Sequence, residues 1–313
     1  MKLQQLRYIV EIEKRGLNVS EAAETLFTSQ PGISKQVRML EDELGITIFE
    51  RNGKRFTGVT EPGRLVLGIA ERMLREADNL RRVGAEFSAG ATGSLVLAAT
   101  HTQARYALPL VVRDFVNRHP QVRLEMHQGS PTRIAEWVAA GEADIGIATE
   151  ALDQYEELVT LPVRQWTHCV IAPEGHPILG SQPLSINELA RWPLITYDMA
   201  FAGRSRINRA FERLGLKPNI TLTALDSDVI KTYVGLGLGL GIISALAFDS
   251  RRDTGLVAID AGHLFESNTT RIALRRGTYL RAYEYDFIEL FAPHLGRKVV
   301  EAAMQGGGEQ YQL

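Results

Sequence analysis

Cysteine is nearly absent from this chain. Cys169 is the single thiol in 313 residues, which excludes an intrachain disulfide and a cysteine-cluster metal site and fits a reducing compartment. It sits in the strand-like run from Trp166 to Ala172, where a buried, inert thiol is expected. Long apolar runs are lacking too: none approaches the ~20 residues of a membrane span, and residues 1–7 lead into a helical pattern without a signal-peptide core. The expectation is a soluble, cytoplasmic protein with no membrane partner. The seven histidines are scattered without metal-ligand spacing, and neither Gly-x-Ser-x-Gly nor a pair of carboxylates framing a cleft is present. No metal, no cofactor and no enzymatic activity are therefore expected. Charge of one sign is also missing, with 35 basic residues against 37 acidic ones. Net charge gives no argument for a nucleic-acid partner, so any such argument must come from where the charges sit.

What is present is enough hydrophobic residue, 45% of the chain, to fold throughout, and enough length for more than one core. At the N-terminus Leu3, Leu6, Ile9, Val10 and Ile12 recur at mostly three- and four-residue spacing, one buried face of a helix ending near Gly16. Asn18 and Glu21 have capping-box spacing for a second helix, and Ala22, Ala23 and Leu26 give it a close-packing face. Ser29 then caps a third helix with Pro31 in its first turn, a buried stripe of Ile33, Val37, Leu40 and Leu44, and a stop at Gly45. Its opposite face carries Gln30, Ser34, Lys35 and Arg38, the side-chain types that meet base edges and phosphates, with Gln30 and Ser34 near the N-terminus. That spacing fits a solvated polar face equally well. Residues 46–57 read as strand, Asn-Gly turn, strand, a wing carrying Arg51, Lys54 and Arg55. Basic wing tips suit phosphates. Through residue 58 the chain holds nine basic and eight acidic residues, so placement must carry the reading.

The run from Ala22 to Glu41, its continuation from Leu44-Gly45 to Phe49-Glu50-Arg51, and Thr60-Glu61-Pro62-Gly63 resemble the winged helix-turn-helix of LysR-type transcriptional regulators. The resemblance implies promoter DNA as a partner, read by a helix-turn-helix at about residues 18–38. Ser29, Gln30, Pro31, Ser34, Lys35, Arg38, Arg51, Lys54 and Arg55 are its candidate contacts.

Thr60 can cap a long helix in which Val66, Ala70, Met73, Ala77, Leu80, Gly84 and Phe87 alternate four- and three-residue spacings. This heptad-like seam suits either a partner helix or packing on the chain's own body. In the resembling family the helix pairs with its copy in another subunit, which implies a dimer at minimum and a homotetramer as the full assembly. Small residues at 87–93 mark a linker. Beyond it strands alternate with helices: strands at 94–99, 122–126 and 143–148, and helices from about 100 to 119 and from 134 to 140. In the first of these helices Leu108, Leu110, Val111 and Phe115 form the apolar side. That alternation implies a parallel α/β sheet. A further α/β region follows from about 162, and the strand at 270–274 with the helix at 285–291 should return to the first lobe. The glycine run 235–241 lacks nucleotide-loop spacing and reads as helix end, turn and strand start.

Ligands of open α/β sheets gather beyond the carboxyl ends of strands, at helix N-termini. Thr100, Thr102 and Gln103 follow one strand and Thr149 another. The turn before Arg204-Ser205 contributes Ala202 and Gly203. These groups suit a small oxyanion or zwitterion, although such threonines also serve merely as helix caps. The runs from Thr100 to Pro109, Gln128 to Thr132, Asp228 to Tyr233 and Phe291 to Leu295 resemble the effector domain of LysR-type regulators, and more narrowly its CysB/Cbl subgroup, which regulates cysteine biosynthesis and sulfur assimilation. The resemblance implies a two-lobed effector domain of periplasmic-binding-protein type 2 fold. It further implies that Thr100, Thr102, Gln103 and Thr149 bind sulfate, thiosulfate, O-acetylserine or N-acetylserine, and that the regulator activates transcription with RNA polymerase as a further partner. A relative controlling alkanesulfonate or taurine use is the alternative. The subgroup's ligand threonine before Gly-Arg-Ser is here Ala202, which leaves only a backbone donor at that position. The expected domains are 1–59 (winged helix-turn-helix), 60–90 (dimerising linker helix) and 91–313 (effector-binding), with lobe I at about 91–161 and 269–300 and lobe II at about 162–268. A transporter's solute-binding protein would share the body but needs an export signal and would lack the N-terminal head.

Overall fold

The computed structural model describes residues 1–306 apart from 54, 89–91, 182, 200 and 202. The chain forms two compact units, Met1–Ser88 and Ala89–Leu313.

In the first unit α1 (Leu3–Lys14), α2 (Val19–Thr25) and α3 (Gln30–Leu44) are followed by a hairpin of β1 (Phe49–Asn52) and β2 (Arg55–Val59) and by the long α4 (Glu61–Ser88). Local chemistry sets each boundary. The Asn18 side chain accepts the backbone N–H groups of Ser20 and Glu21, and the Ser29 hydroxyl accepts that of Gly32. Gly45 stops α3 in the left-handed region at φ +67°, where a Cβ would be strained. Thr60 Oγ1 accepts the Gly63 N–H at 2.9 Å and so opens α4. Leu6, Ile9, Ile12, Ala22, Ile33, Val37, Leu40, Ile48, Phe49 and Leu67 make one core. Each large side chain buried there contributes about 1.5–3 kcal/mol. Leu44 leaves the buried stripe expected for it and is 39% exposed.

The seam of α4 divides. Leu67 and Ala70 are buried in the head's own core, with Val66 and Leu74 packed against it. Met73, Leu80 and Phe87, seven residues apart, are 38%, 74% and 83% exposed. Packing on its own body describes the first half, and an unpartnered apolar stripe describes the second.

The second unit holds two five-stranded sheets. The first has the order β4-β3-β5-β12-β6, from β3 (Gly93–Ala99), β4 (Val122–Gln128), β5 (Ile145–Ala148), β6 (Leu158–Trp166) and β12 (Asn268–Arg275). The second has the order β11-β7-β10-β8-β9, from β7 (His168–Pro173), β8 (Leu194–Tyr197), β9 (Ile220–Ala224), β10 (Leu240–Ser244) and β11 (Leu256–Asp260). Helices α5 (Pro109–Arg118), α6 (Pro131–Ala140), α10 (Ala282–Phe291) and α11 (Arg297–Met304) belong to the first lobe; α7 (Ile186–Leu189), α8 (Arg204–Glu212) and α9 (Ser227–Gly235) belong to the second.

Three expectations change here. The sheets are mixed: β3 pairs parallel with β4 and β5, but β12 runs antiparallel to β5 and β6, and β7 antiparallel to β10 and β11. The chain crosses between lobes twice, and the strand returning at 268 enters against the direction of its neighbours. Strand β6 stays in the first sheet as far as Trp166, past the boundary expected near 161. Finally, the helix after β3 is broken: a π-helical turn at Gln103–Ala107 precedes α5, with Leu108 N–H bonded to the Gln103 carbonyl five residues back. Pro109 has no N–H to continue an α-helical ladder, so the chain widens by one residue and restarts. That shift leaves Leu108 and Phe115 buried and turns Leu110 outward at 65% exposure.

Candidate nucleic-acid interface and ligand cleft

In the first unit Gln30, Pro31, Ser34, Lys35 and Arg38 of α3 and Arg51 of the hairpin line one groove. Lys35 and Arg38 are exposed, and Gln30 Nε2 donates to Ser34 Oγ at 3.3 Å across one helical turn. Ser29 is committed to its cap. Arg55 is exposed on β2, and Lys54 lies outside the described residues. Arg51 is anchored by an ion pair from its Nη2 to Glu41, and its guanidinium lies 5.0 Å from the Phe56 ring centre.

Glu41 is the functional residue of this unit that sequence reading missed, where it counted only as an opposing charge. It is buried, and one carboxylate oxygen accepts the N–H groups of Ile48 and Phe49 at 2.8 and 3.3 Å while the other meets Arg51. A carboxylate thus fastens α3 to the hairpin and fixes the groove's width. The available signal was its place four residues after Val37, on the apolar stripe, where a lone acid must find buried donors.

In the second unit β3 and β5 are adjacent and parallel, so Thr100–Gln103 and Thr149 emerge at the same sheet edge. They line a small cavity of about 30 Å³ that opens to solvent, together with His101, Trp166, Tyr197, Phe201, Leu225 and Ser244. Of the expected set, Thr100, Thr102, Gln103 and Thr149 come together. Gln103 is already engaged: Nε2 donates to Thr270 Oγ1 at 3.0 Å and Oε1 accepts from Arg164 at 3.4 Å. The Gly203 N–H opens α8 but is held by the Glu150 carboxylate at 3.0 Å. Ala202 lies outside the described residues. Trp166 was missed as a lining residue; its indole N–H is buried in the cavity wall without a partner among the described residues.

Beside the cavity an ionic network joins the lobes. Asp228 of α9 accepts Tyr106 OH at 2.7 Å, pairs with Arg105 at 2.7 Å and faces His101 Nε2 at 3.1 Å, while Lys231 reaches Tyr106 OH at 2.8 Å and Asp253 at 2.9 Å. Burial pushes the Asp228 carboxyl up, but hydrogen bonds from Tyr106 and His101 and the charges of Lys231 and Arg105 outweigh it and hold the group below its usual range. His101, Asp226 and Asp228 lie close enough for a metal ion, yet Arg105 and Lys231 already balance that charge.

His168, at the start of β7 where the chain crosses into the second lobe, is fully buried against Trp166 and Phe265. Burial, assisted by the charge of Arg206, pushes its imidazole down to about 4. Since the unfolded chain takes up this proton near 6.5 and the folded one resists it, stability falls as pH drops from 7 toward 4. The expected loss is about 2 kcal/mol between pH 7.5 and 5. Urea unfolding across that range, against His168→Gln, measures it; an unchanged pH slope in the variant would remove the assignment. Cys169 beside it is buried, with its thiol pushed up to about 12, and carries no chemistry.

A three-helix head with a basic hairpin, followed by a two-lobed α/β unit with a polar cleft, is a specific combination. Residues 3–64 match the family described as bacterial regulatory helix-turn-helix protein, lysR family, and residues 88–296 match the LysR substrate binding domain. The chain belongs to the LysR family of transcriptional regulators. Among LysR-family relatives, the HTH-type transcriptional regulator SsuR of Burkholderia cenocepacia is 53% identical over 97% of this chain and 99% of its own. The HTH-type transcriptional regulator CysB of the same organism is 52% identical over the whole of both chains. The crystal structure of the cofactor-binding domain of the Cbl transcriptional regulator matches 69% of this chain and 94% of its own, with a TM-score of 0.67 at 44% identity. These relatives are named as regulators, not enzymes. The effector domain in the LysR family binds small molecules, and the helix-turn-helix binds DNA.

Proposed function

We propose that this LysR-family regulator activates genes of cysteine biosynthesis and sulfur assimilation when a small anion or acetylserine occupies the cleft. The observation that carries the reading is the convergence of Thr100, Thr102 and Thr149 hydroxyls with the Trp166 indole N–H on one cavity. Several neutral donors around a small volume suit an oxyanion or carboxylate that must bind and leave, because they stabilise its charge without a permanent counter-charge. Sulfate, thiosulfate, O-acetylserine and N-acetylserine all fit that description. The relatives named CysB and Cbl support the sulfur assignment.

Two heads reach two half-sites when the α4 stripe of Met73, Leu80 and Phe87 packs against its copy in a second chain, and two such dimers make a tetramer. Gln30, Ser34, Lys35 and Arg38 enter the major groove, Arg51 and Arg55 approach phosphates, and RNA polymerase is the partner through which activation acts. Footprinting on sulfur-assimilation promoters, with and without the four effectors, tests this. Protection whose extent changes with at least one effector is expected, and Lys35→Ala with Arg38→Ala should weaken it about tenfold and flatten its salt dependence. No protection under any condition would sink the assignment; protection confined to alkanesulfonate promoters would move it to that regulon.

A further inference from the structure

The first lobe meets the cleft with three threonine hydroxyls, but the second lobe's contribution is less obvious. The Gly203 N–H is occupied by Glu150. Of the second-lobe residues lining the cavity, Phe201 and Leu225 are apolar. Tyr197 is polar but spent: its hydroxyl contacts Ser227 Oγ at 2.6 Å and accepts the Ser244 N–H at 3.0 Å. Ser244 remains. It ends β10, lies opposite His168 in the antiparallel register, is 2% exposed, and its Oγ is buried without a hydrogen-bond partner among the described residues. A buried hydroxyl left in this state costs stability, and a bound acceptor removes that cost.

We propose that the Ser244 hydroxyl is the second lobe's side-chain contact to the cleft effector, donating to an oxyanion or carbonyl oxygen. The inference rests on the cleft reading above. It makes Ser244 a specificity residue: a ligand clamped by both lobes must present one acceptor to Thr100, Thr102 and Thr149 and another to Ser244.

The test is calorimetric titration of the full chain with N-acetylserine, O-acetylserine, sulfate and thiosulfate in turn, for wild type, Ser244→Ala and Thr100→Val. The unliganded melting temperature is measured beside each. Ser244→Ala should weaken the tightest of these ligands about three- to tenfold, the size of one neutral hydrogen bond, without lowering the unliganded melting temperature. A merely structural hydroxyl would behave the other way, with melting lowered and affinity kept. Ser244→Cys, close in volume and a poorer donor, should show the same loss of affinity, and guards against a packing effect of alanine. If Thr100→Val loses binding and neither Ser244 variant does, the Ser244 assignment falls alone. If Thr100→Val binds as wild type, or none of the four ligands binds wild type, the cleft reading falls and takes Ser244 with it.

Discussion

Replacing Thr100 and Thr102 together by valine is expected to weaken effector binding by about a hundredfold or more. A hydrogen bond to a charged acceptor contributes roughly 1.5–3 kcal/mol, and two lost together correspond to two or more decades in affinity. The groups share one ligand, so their losses are coupled and the lower end of that range applies. Valine keeps the shape of threonine, which separates this effect from a cavity. Thr100 is nearly buried at the end of β3, so a small fall in the unliganded melting temperature accompanies the change. Titration with N-acetylserine and sulfate measures the affinity. Retention of wild-type binding by the double variant would place the effector elsewhere.

Glu41→Ala should be the most damaging substitution in the head. It strips a partner from two buried backbone N–H groups and from the Arg51 guanidinium at once. Breaking a buried charge pair costs about 3–5 kcal/mol, and because Arg51 is about one-quarter exposed the lower figure applies. For a unit of this size that lowers melting by about 12–24 °C. Glu41→Gln keeps one acceptor oxygen and should fall between. Differential scanning calorimetry reads the head's transition, and DNA affinity should drop with it, since the groove between α3 and the hairpin loses its fastening. A transition unmoved by Glu41→Ala would mean that this carboxylate is dispensable.

Much of both candidate sites is legible in the sequence. The polar residues of α3 were legible because helical period alone puts Gln30, Ser34, Lys35 and Arg38 on one side. The threonine turn was legible because a buried strand followed by hydroxyl residues marks the ligand-facing end of an α/β sheet. Glu41, Ser244 and the lobe-bridging Asp228 network were not. Glu41 finds its partners in the hairpin that follows α3 and Asp228 finds Tyr106 in the other lobe, and whether a polar side chain is satisfied, as Tyr197 is, or left without a partner among the described residues, as Ser244 Oγ is, depends on atoms brought together only by folding. The same limit explains Gln103 and Gly203, which chemistry alone marks as ligand donors and which the fold gives to Thr270, Arg164 and Glu150.

Helix caps, apolar periodicity and turn glycines determined the order and identity of the head's elements, because these act over three or four residues and need no distant contact. Membership of the LysR family was equally present in the sequence, in long runs of residues. Tertiary structure alone decided that the sheets are mixed, that α4 spends half its seam on its own head, and that the second lobe faces the cleft with one unengaged hydroxyl among the described residues. Strand direction, shared burial and hydrogen-bond saturation are properties of pairs of distant residues, and no local pattern encodes them.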